Sequence, residues 1–263
     1  MECYIINLKR SEERRAYMEN LLQPYTCLHP YQFVSAVDGR SLSEQDIKNQ
    51  FRQEEARRRY GRLLKKSEVG CTLSHRKCYQ RLIETKAQWA LVMEDDILIR
   101  VSAERLADVN AALEKHLTTS CPTIIILFGE YWWTKTVFSE ESIQLKKVYD
   151  AISAQGYLIN RAAAERLLSY EASTLADDWT YIIEQGVHVM ALHPHIIDQE
   201  WSSFETTISM DGYASYVRRN LSLVSLLHIY WRGGVRRLLK MAGRFEPHII
   251  PKEEPEWAKR LGI

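Results

Sequence analysis

Trp89-Ala90-Leu91-Val92-Met93-Glu94-Asp95-Asp96 decides the fold: an apolar run of strand length stops at three acids, and Ile97-Leu98-Ile99 follows. Ligands of an open α/β sheet sit at the carboxyl ends of its buried strands. Three carboxyl groups at such an end repel one another and need a cation or strong hydrogen-bond donors. A hard divalent ion, Mn²⁺ or Mg²⁺, bridging to a diphosphate meets that need. The stretch points to metal-assisted chemistry on a nucleotide substrate. Asp96 is the candidate metal ligand, with Asp95 or Glu94 holding a ribose or a metal-bound water. The plainer alternative is a strand-end turn in which Asp95 or Asp96 caps the next segment.

Working outward, Cys3–Leu8 reads as a first buried strand, and Ser11 opens a helix to Leu22 with Glu12 and Glu13 in its first turn. Tyr31–Val34 is a short second strand. Residues 40–66 are highly charged and resemble an exposed helical insertion or a mobile lid. A helix covers Val69–Lys86 and precedes the central strand. Further helices are expected over Glu104–His116, Arg161–Ser169 and Asp177–Gln185, and further strands over Thr123–Phe128, Gln155–Ile159 and Val187–Leu192. Residues 129–150 read as an irregular loop with aromatic content. Alternating strands and helices predict a mainly parallel α/β sheet flanked by helices.

With 263 residues, the chain can bury a sizeable core. Two parts are expected: an α/β domain over 1–205 and a basic helical region over 206–263. A net charge of +1 gives no general case for nucleic acid. Five scattered cysteines, with no C-x-x-C, suit a reducing compartment. No signal peptide and no apolar run of about 18 residues is visible, so a cytoplasmic protein is expected. The stretch Tyr213–Phe245 contains no acid but carries Arg218, Arg219, Arg232, Arg236, Arg237, Lys240 and Arg244 among leucines and Trp231. It reads as basic amphipathic helix for the anionic inner face of a membrane, or as a helix packed on the core with a solvated basic face.

Other constellations carry chemistry. In Ser67-Glu-Val-Gly-Cys-Thr-Leu-Ser-His75, Gly70 allows close approach of backbone or ligand, and Ser74 and His75 lie one turn on. Cys71, His75 and Cys78 share a helix face and form a rival zinc set, against the plainer reading of buried apolar cysteines. Asn7 to Arg15 places basic side chains at the first strand–helix junction, where they suit a phosphate or a base, or a solvated face of Glu–Arg pairs. Ala176-Asp177-Asp178-Trp179 offers an acceptor site: Trp179 stacks on a sugar face and Asp178 takes a hydroxyl proton, unless the acids merely cap a helix. One histidine of His193-Pro-His195 could be a late metal ligand, although for each taken singly the plainer surface or core reading is preferred.

Taken together, these segments resemble glycosyltransferase family 25, which includes bacterial lipooligosaccharide and collagen galactosyltransferases. Tyr4-Ile-Ile-Asn-Leu with Arg14-Arg15 looks like the family's opening strand and double arginine. Ala36-Val-Asp-Gly39 looks like its A-x-D-G turn, Glu68-Val-Gly-Cys with Ser74-His75 like its E-x-G-C…S-H helix, and Val92-Met-Glu-Asp-Asp96 like its E-D-D strand end. Gly156-Tyr-Leu-Ile-Asn-Arg161, Asp178, and Pro194 with Gln199-Glu200 follow in the family's order. The resemblance covers residues 3–201. It implies a GT-A-like nucleotide-sugar-binding fold and inverting transfer of a sugar, galactose above all, from a UDP-sugar to a hydroxyl of a lipooligosaccharide or polysaccharide. Asp178 would be the base, with Asp177 its nearest competitor; Asn7, Arg14, Asp38, Ser74 and His75 would line the nucleotide side. Two other functions compete: a non-catalytic family member that binds a glycan or protein, and a nucleotidyltransferase, although no Gly-rich phosphate loop stands near the N-terminus.

Overall fold

The apolar runs pair into one nine-stranded sheet. In the computed structural model, which describes residues 1–114, 117, 120–140, 143–200, 221 and 223–248, β1 (Glu2–Asn7) lies between β2 (Gln32–Ser35) and β3 (Trp89–Glu94), parallel to both. Beyond β3 comes β8 (Gly156–Asn160), antiparallel to β3 and to β5 (Thr123–Ile126). β9 (His188–His193) runs parallel to β5. Next come β7 (Gln144–Ala151), β6 (Tyr131–Ser139) and β11 (Phe245–Glu246), each antiparallel to its neighbour. The strands β1, β2, β3, β5, β6 and β9 therefore share one direction, and the sheet is mixed but mostly parallel in orientation. A separate two-stranded ladder joins β4 (Ile97–Ile99) to β10 (Ile197–Gln199) and brings Gln199 back beside the acidic strand end.

Helices flank the sheet: α1 (Glu12–Leu22), α2 (Glu44–Gln50), α3 (Gln53–Tyr60), α4 (Lys66–Glu84), α5 (Ala103–Glu114), α6 (Arg161–Leu168), α7 (Trp179–Glu184) and α8 (Leu223–Met241). Ile5, Val92, Met93, Ile124, Ile126 and Ile159 are buried in the core between them. Each such side chain contributes roughly 1.5–3 kcal/mol of transfer free energy. The α/β expectation holds. Ser11 stands at the head of α1, although its side chain makes no capping hydrogen bond.

Two regions differ from their sequence reading. Residues 131–139 and 144–151 are not an irregular loop but the long paired antiparallel strands β6 and β7. Bulges near Trp133, Lys135 and Thr136 break the two-residue alternation that marks a strand. Residues 40–66 form the expected helical insertion through α2 and α3, but it is not exposed throughout. Leu42, Ile47, Phe51, Ala56 and Leu64 pack with Val69, Leu73 and Ala172 into a second small core. Arg218 and Arg219, and the boundary at residues 205–206, lie outside the described residues. Among the described residues no helix is long and apolar enough to cross a membrane.

Candidate active site

The carboxyl ends of β1 and β3 open into a cleft of about 190 Å³. Its walls come from the start of α1 (Arg10, Ser11, Arg14), the 36–40 turn, α4 (Ser67, Cys71, Ser74, His75) and Glu94, Asp95, Asp96 and Gln199. Seven of the predicted residues thus meet in one place: Arg14, Asp38, Ser74, His75, Glu94, Asp95 and Asp96.

Each is held for a physical reason. Asn7 ends β1 behind the cleft and donates from Nδ2 to Asp95 Oδ2 at 2.7 Å and to the Ser11 carbonyl at 3.2 Å, tying strand end to helix start. Arg14 Nη1 donates to Asp95 Oδ1 at 2.9 Å and Asp96 Oδ2 at 3.0 Å. Gln199 Nε2 reaches Asp96 Oδ2 at 3.1 Å and is itself held by Gln155, 2.9 Å away. The 36–40 turn lies on α4 because glycines meet there. A Cβ on Gly70 would stand 2.6 Å from the Val37 carbonyl oxygen, and one on Gly39 would strike the Lys66 backbone. Ser74 Oγ accepts from Val37 N at 2.8 Å and donates to the Gly70 carbonyl at 2.6 Å, locking the same contact. Arg10 Nε donates to Asp38 Oδ2 at 2.7 Å, and this bond holds the Asp38 carboxyl below its usual range.

Charge in the cleft is poorly compensated. Burial, then the Glu94 charge, pushes Asp96 up to about 7 despite Arg14. Asp96 Oδ1 is buried and has no hydrogen-bond partner. A carboxylate oxygen left in that state is a natural ligand for a hard cation, so the donor set fits Mn²⁺ or Mg²⁺. His75 completes the wall with Nε2 3.3 Å from Glu94 Oε1 and Nδ1 2.8 Å from the Tyr157 hydroxyl. Cys71 Sγ joins them: ligand atoms of Cys71, His75 and Glu94 lie within 4.8 Å of one another. Cys78 belongs instead to the apolar core, so the helix-face zinc set is not assembled.

The two aspartates before α7 separate. Asp178 accepts from Arg59 Nε (2.5 Å), Arg59 Nη2 (2.9 Å) and the Tyr60 hydroxyl (2.5 Å), and caps α7 through Tyr181 N at 3.0 Å. Against its burial, these bonds hold it down at about 2. Asp177 is raised by burial, with the Glu94 charge adding to it, and its own charge reaches Cys71. Neither lines the cleft at the ends of β1 and β3, but Asp177 shares its electrostatic neighbourhood. Asp178 faces a different cleft with Arg58, Arg59, His228 and Arg232. Trp179 does not stack on a sugar. Its ring is buried against Phe128 and Tyr157, and Nε1 donates to the Ser153 carbonyl at 2.6 Å.

Several motif residues prove architectural. Glu68 accepts from Arg62 (2.8 Å twice) and Lys65 N (2.7 Å) at the head of α4. Asn160 caps α6 through Ala163 N at 2.8 Å, while Arg161 donates to carbonyls of Leu82, Ile83 and Ala87 at the end of α4. His195 is buried between Glu246 (2.8 Å) and Asp198 (3.0 Å), and His193 Nδ1 lies 3.4 Å from Glu246; neither lines the cleft at the ends of β1 and β3.

A family model described as glycosyltransferase family 25 (LPS biosynthesis protein) matches residues 1–181, more than half of the chain. The chain belongs to glycosyltransferase family 25. Among its relatives, a glycosyltransferase 25 family member of Aedes aegypti is 36% identical over 97 residues, or 36% of this chain and 16% of the relative. Human procollagen galactosyltransferase 2 is 35% identical over 99 residues, again 36% of this chain and 16% of the relative. The matched segment is thus a small part of those longer proteins. A solved structure, the inositol-1-phosphate CTP transferase from T. maritima, aligns over 72% of this chain and 84% of its own with 11% identity and a TM-score of 0.36. Within the family 25 chain, the sequence signals the acids and α4 but not Arg59 or Tyr60. Arg10 and Tyr157 stand inside the segments Asn7–Arg15 and Gly156–Arg161 without a role of their own. The Arg59 pairing spans 119 positions, and no local pattern signals it.

Proposed function

We propose that this chain is an inverting glycosyltransferase that moves a sugar, galactose above all, from a UDP-sugar to a hydroxyl of a lipooligosaccharide or polysaccharide. The observation that carries this reading is the cleft at the carboxyl ends of β1 and β3, where the buried Asp96 Oδ1 has no partner while Arg14 and Gln199 hold the other oxygen. Asp96, with Glu94 beside it, would hold Mn²⁺ or Mg²⁺, and when bound the ion offsets the charge of the diphosphate. Arg14 and Asn7 fix the Asp95 and Asp96 carboxylates in place. Asp38, Ser74 and His75 line the nucleotide side.

Inversion needs a base on the face of the sugar opposite UDP. Asp177 is assigned this role rather than Asp178. A raised carboxyl is the better proton acceptor near neutral pH, and both oxygens of Asp178 are already bound by Arg59. Asp177 takes the proton as the acceptor oxygen bonds to the anomeric carbon. The bond from that carbon to the UDP oxygen breaks, and UDP leaves with the electron pair. Family membership supports the donor class, and the name of the procollagen galactosyltransferases supports galactose. The test is a panel of UDP-sugars with lipooligosaccharide-type acceptors, read by UDP release and by product anomer. Release with UDP-galactose and an inverted product supports the assignment. Glycan binding without release from any donor points to a non-catalytic member.

A further inference from the structure

α8 presents the wrong face to solvent for an ordinary surface helix. Leu223, Leu227, Tyr230, Trp231, Leu238 and Met241 are between 63 and 82% exposed. Their spacing of three and four residues sets them on one stripe. Gly234 falls on the same stripe, with nothing within 4 Å of where its Cβ would stand. The opposite face carries the charge. Arg232 Nη2 meets Asp150 of β7 at 2.9 Å and Arg236 meets the same carboxylate. The Arg236 guanidinium also lies over Trp132 (5.1 Å), and Lys240 over Phe245 (4.7 Å). Asp150 is buried, so these pairs fix the roll of the helix. The basic side chains hold the helix to the sheet, and its apolar stripe points away from the protein.

The surroundings of the stripe say what covers it. Residues 223–244 contain no Asp or Glu. Arg237 and Lys240 are exposed on the helix and Arg244 just past its end. On the adjoining strands β6 and β7, exposed Lys135 and Lys147 sit across the ladder from each other. A second copy of this chain would set those cations against themselves, which disfavours pairing. An anionic bilayer complements them, accepts the apolar stripe, and suits an adjacent Tyr–Trp pair at its interface. We propose that α8 docks on an anionic lipid surface, with its apolar stripe at the acyl boundary and Arg237 and Arg244 at the head groups. The cleft between Arg58, Arg59, Asp178, His228 and Arg232 opens along the same helix, so a lipid-carried acceptor would enter beside Asp178. That last step rests on the glycosyltransferase reading; the docking does not.

Co-sedimentation of the full chain with vesicles tests this. The probes are phosphatidylcholine alone and phosphatidylcholine with about one-third phosphatidylglycerol. The wild type is expected to bind the mixed vesicles and to bind pure phosphatidylcholine weakly. The double variant L227E/W231E should bind about tenfold less, whereas I83E, an exposed apolar position on α4, should bind like wild type. UDP binding, read on the same samples, confirms that the variants are folded. Failure of UDP binding alone would count against the transfer reading and leave the docking intact. The docking is overturned by equal binding of L227E/W231E and wild type. It is equally overturned by no binding of the wild type, whether sedimentation equilibrium then shows a dimer that L227E/W231E dissolves, or binding appears only after residues 249–263 are removed.

Discussion

Arg59 closes on both carboxylate oxygens of Asp178, with Nε 2.5 Å from Oδ2 and Nη2 2.9 Å from Oδ1. This pair joins the 40–66 insertion to the head of α7 and separates two adjacent aspartates into different roles. Asp178 is bound on both oxygens. Asp177 is raised by burial, with the charge of Glu94 adding to it.

The aspartates should therefore respond oppositely to substitution. Asp177→Asn should keep its melting temperature and lose about 10²–10⁴-fold in kcat. Asp178→Asn should lose stability and keep most of its kcat. Paired thermal melts and steady-state rates check this, and a tight base role for Asp178 would reverse the pattern.

The same pair gives a pH signature. Against its burial, Arg59 and Tyr60 hold the Asp178 carboxyl down at about 2, below the ordinary value of 3.8. A depressed carboxyl stabilises the fold above its unfolded value, and that contribution disappears as pH falls through the folded value. Denaturant melts from pH 4 down to 2 should show a loss of about 2 kcal/mol that Asp178→Asn lacks.

Arg14 carries the countercharge of Asp95 and Asp96. Arg14→Ala leaves two buried acids unpaired and should cost about 3 kcal/mol of stability together with most UDP affinity. Arg14→Lys should recover the stability only in part, since a single ammonium does not reproduce the guanidinium geometry. Chemical denaturation and UDP titration of the two variants decide it.

Gly70 lets the 36–40 turn rest on α4. Gly70→Ala places a methyl 2.6 Å from the Val37 carbonyl oxygen and 2.9 Å from Gly39 N. The turn must lift, which should cost about 1–3 kcal/mol and weaken UDP binding through Asp38. Unchanged stability in the alanine variant would mean that the turn is not packed as described.

Local signals were legible where they are strong. The Trp89–Met93 run, the Gly70 helix and the acids mark the cleft end of the sheet directly, because apolar periodicity and charge are local properties. The β6–β7 pair escaped because its bulges interrupt the alternation and its lysines sit among aromatics. Asp178 and Asp177 could not be told apart locally, because two adjacent acids look alike until Arg59, from 119 positions away, binds one of them. Trp179 looked like a sugar platform for a similar reason: only the packing of Phe128 and Tyr157 shows that its faces are taken. The roll of α8 was equally out of reach, since Arg232 and Arg236 turn inward only because Asp150 of β7 awaits them.

The most direct test of the donor site is calorimetry of UDP, with and without Mn²⁺, on wild type and Asp96→Asn. The unpartnered Asp96 Oδ1 predicts binding that Mn²⁺ strengthens in the wild type and that loses this dependence in Asp96→Asn. Equal Mn²⁺-dependent binding by the two proteins would contradict the assignment of Asp96 as the ligand, and no UDP binding by either would contradict the donor site itself.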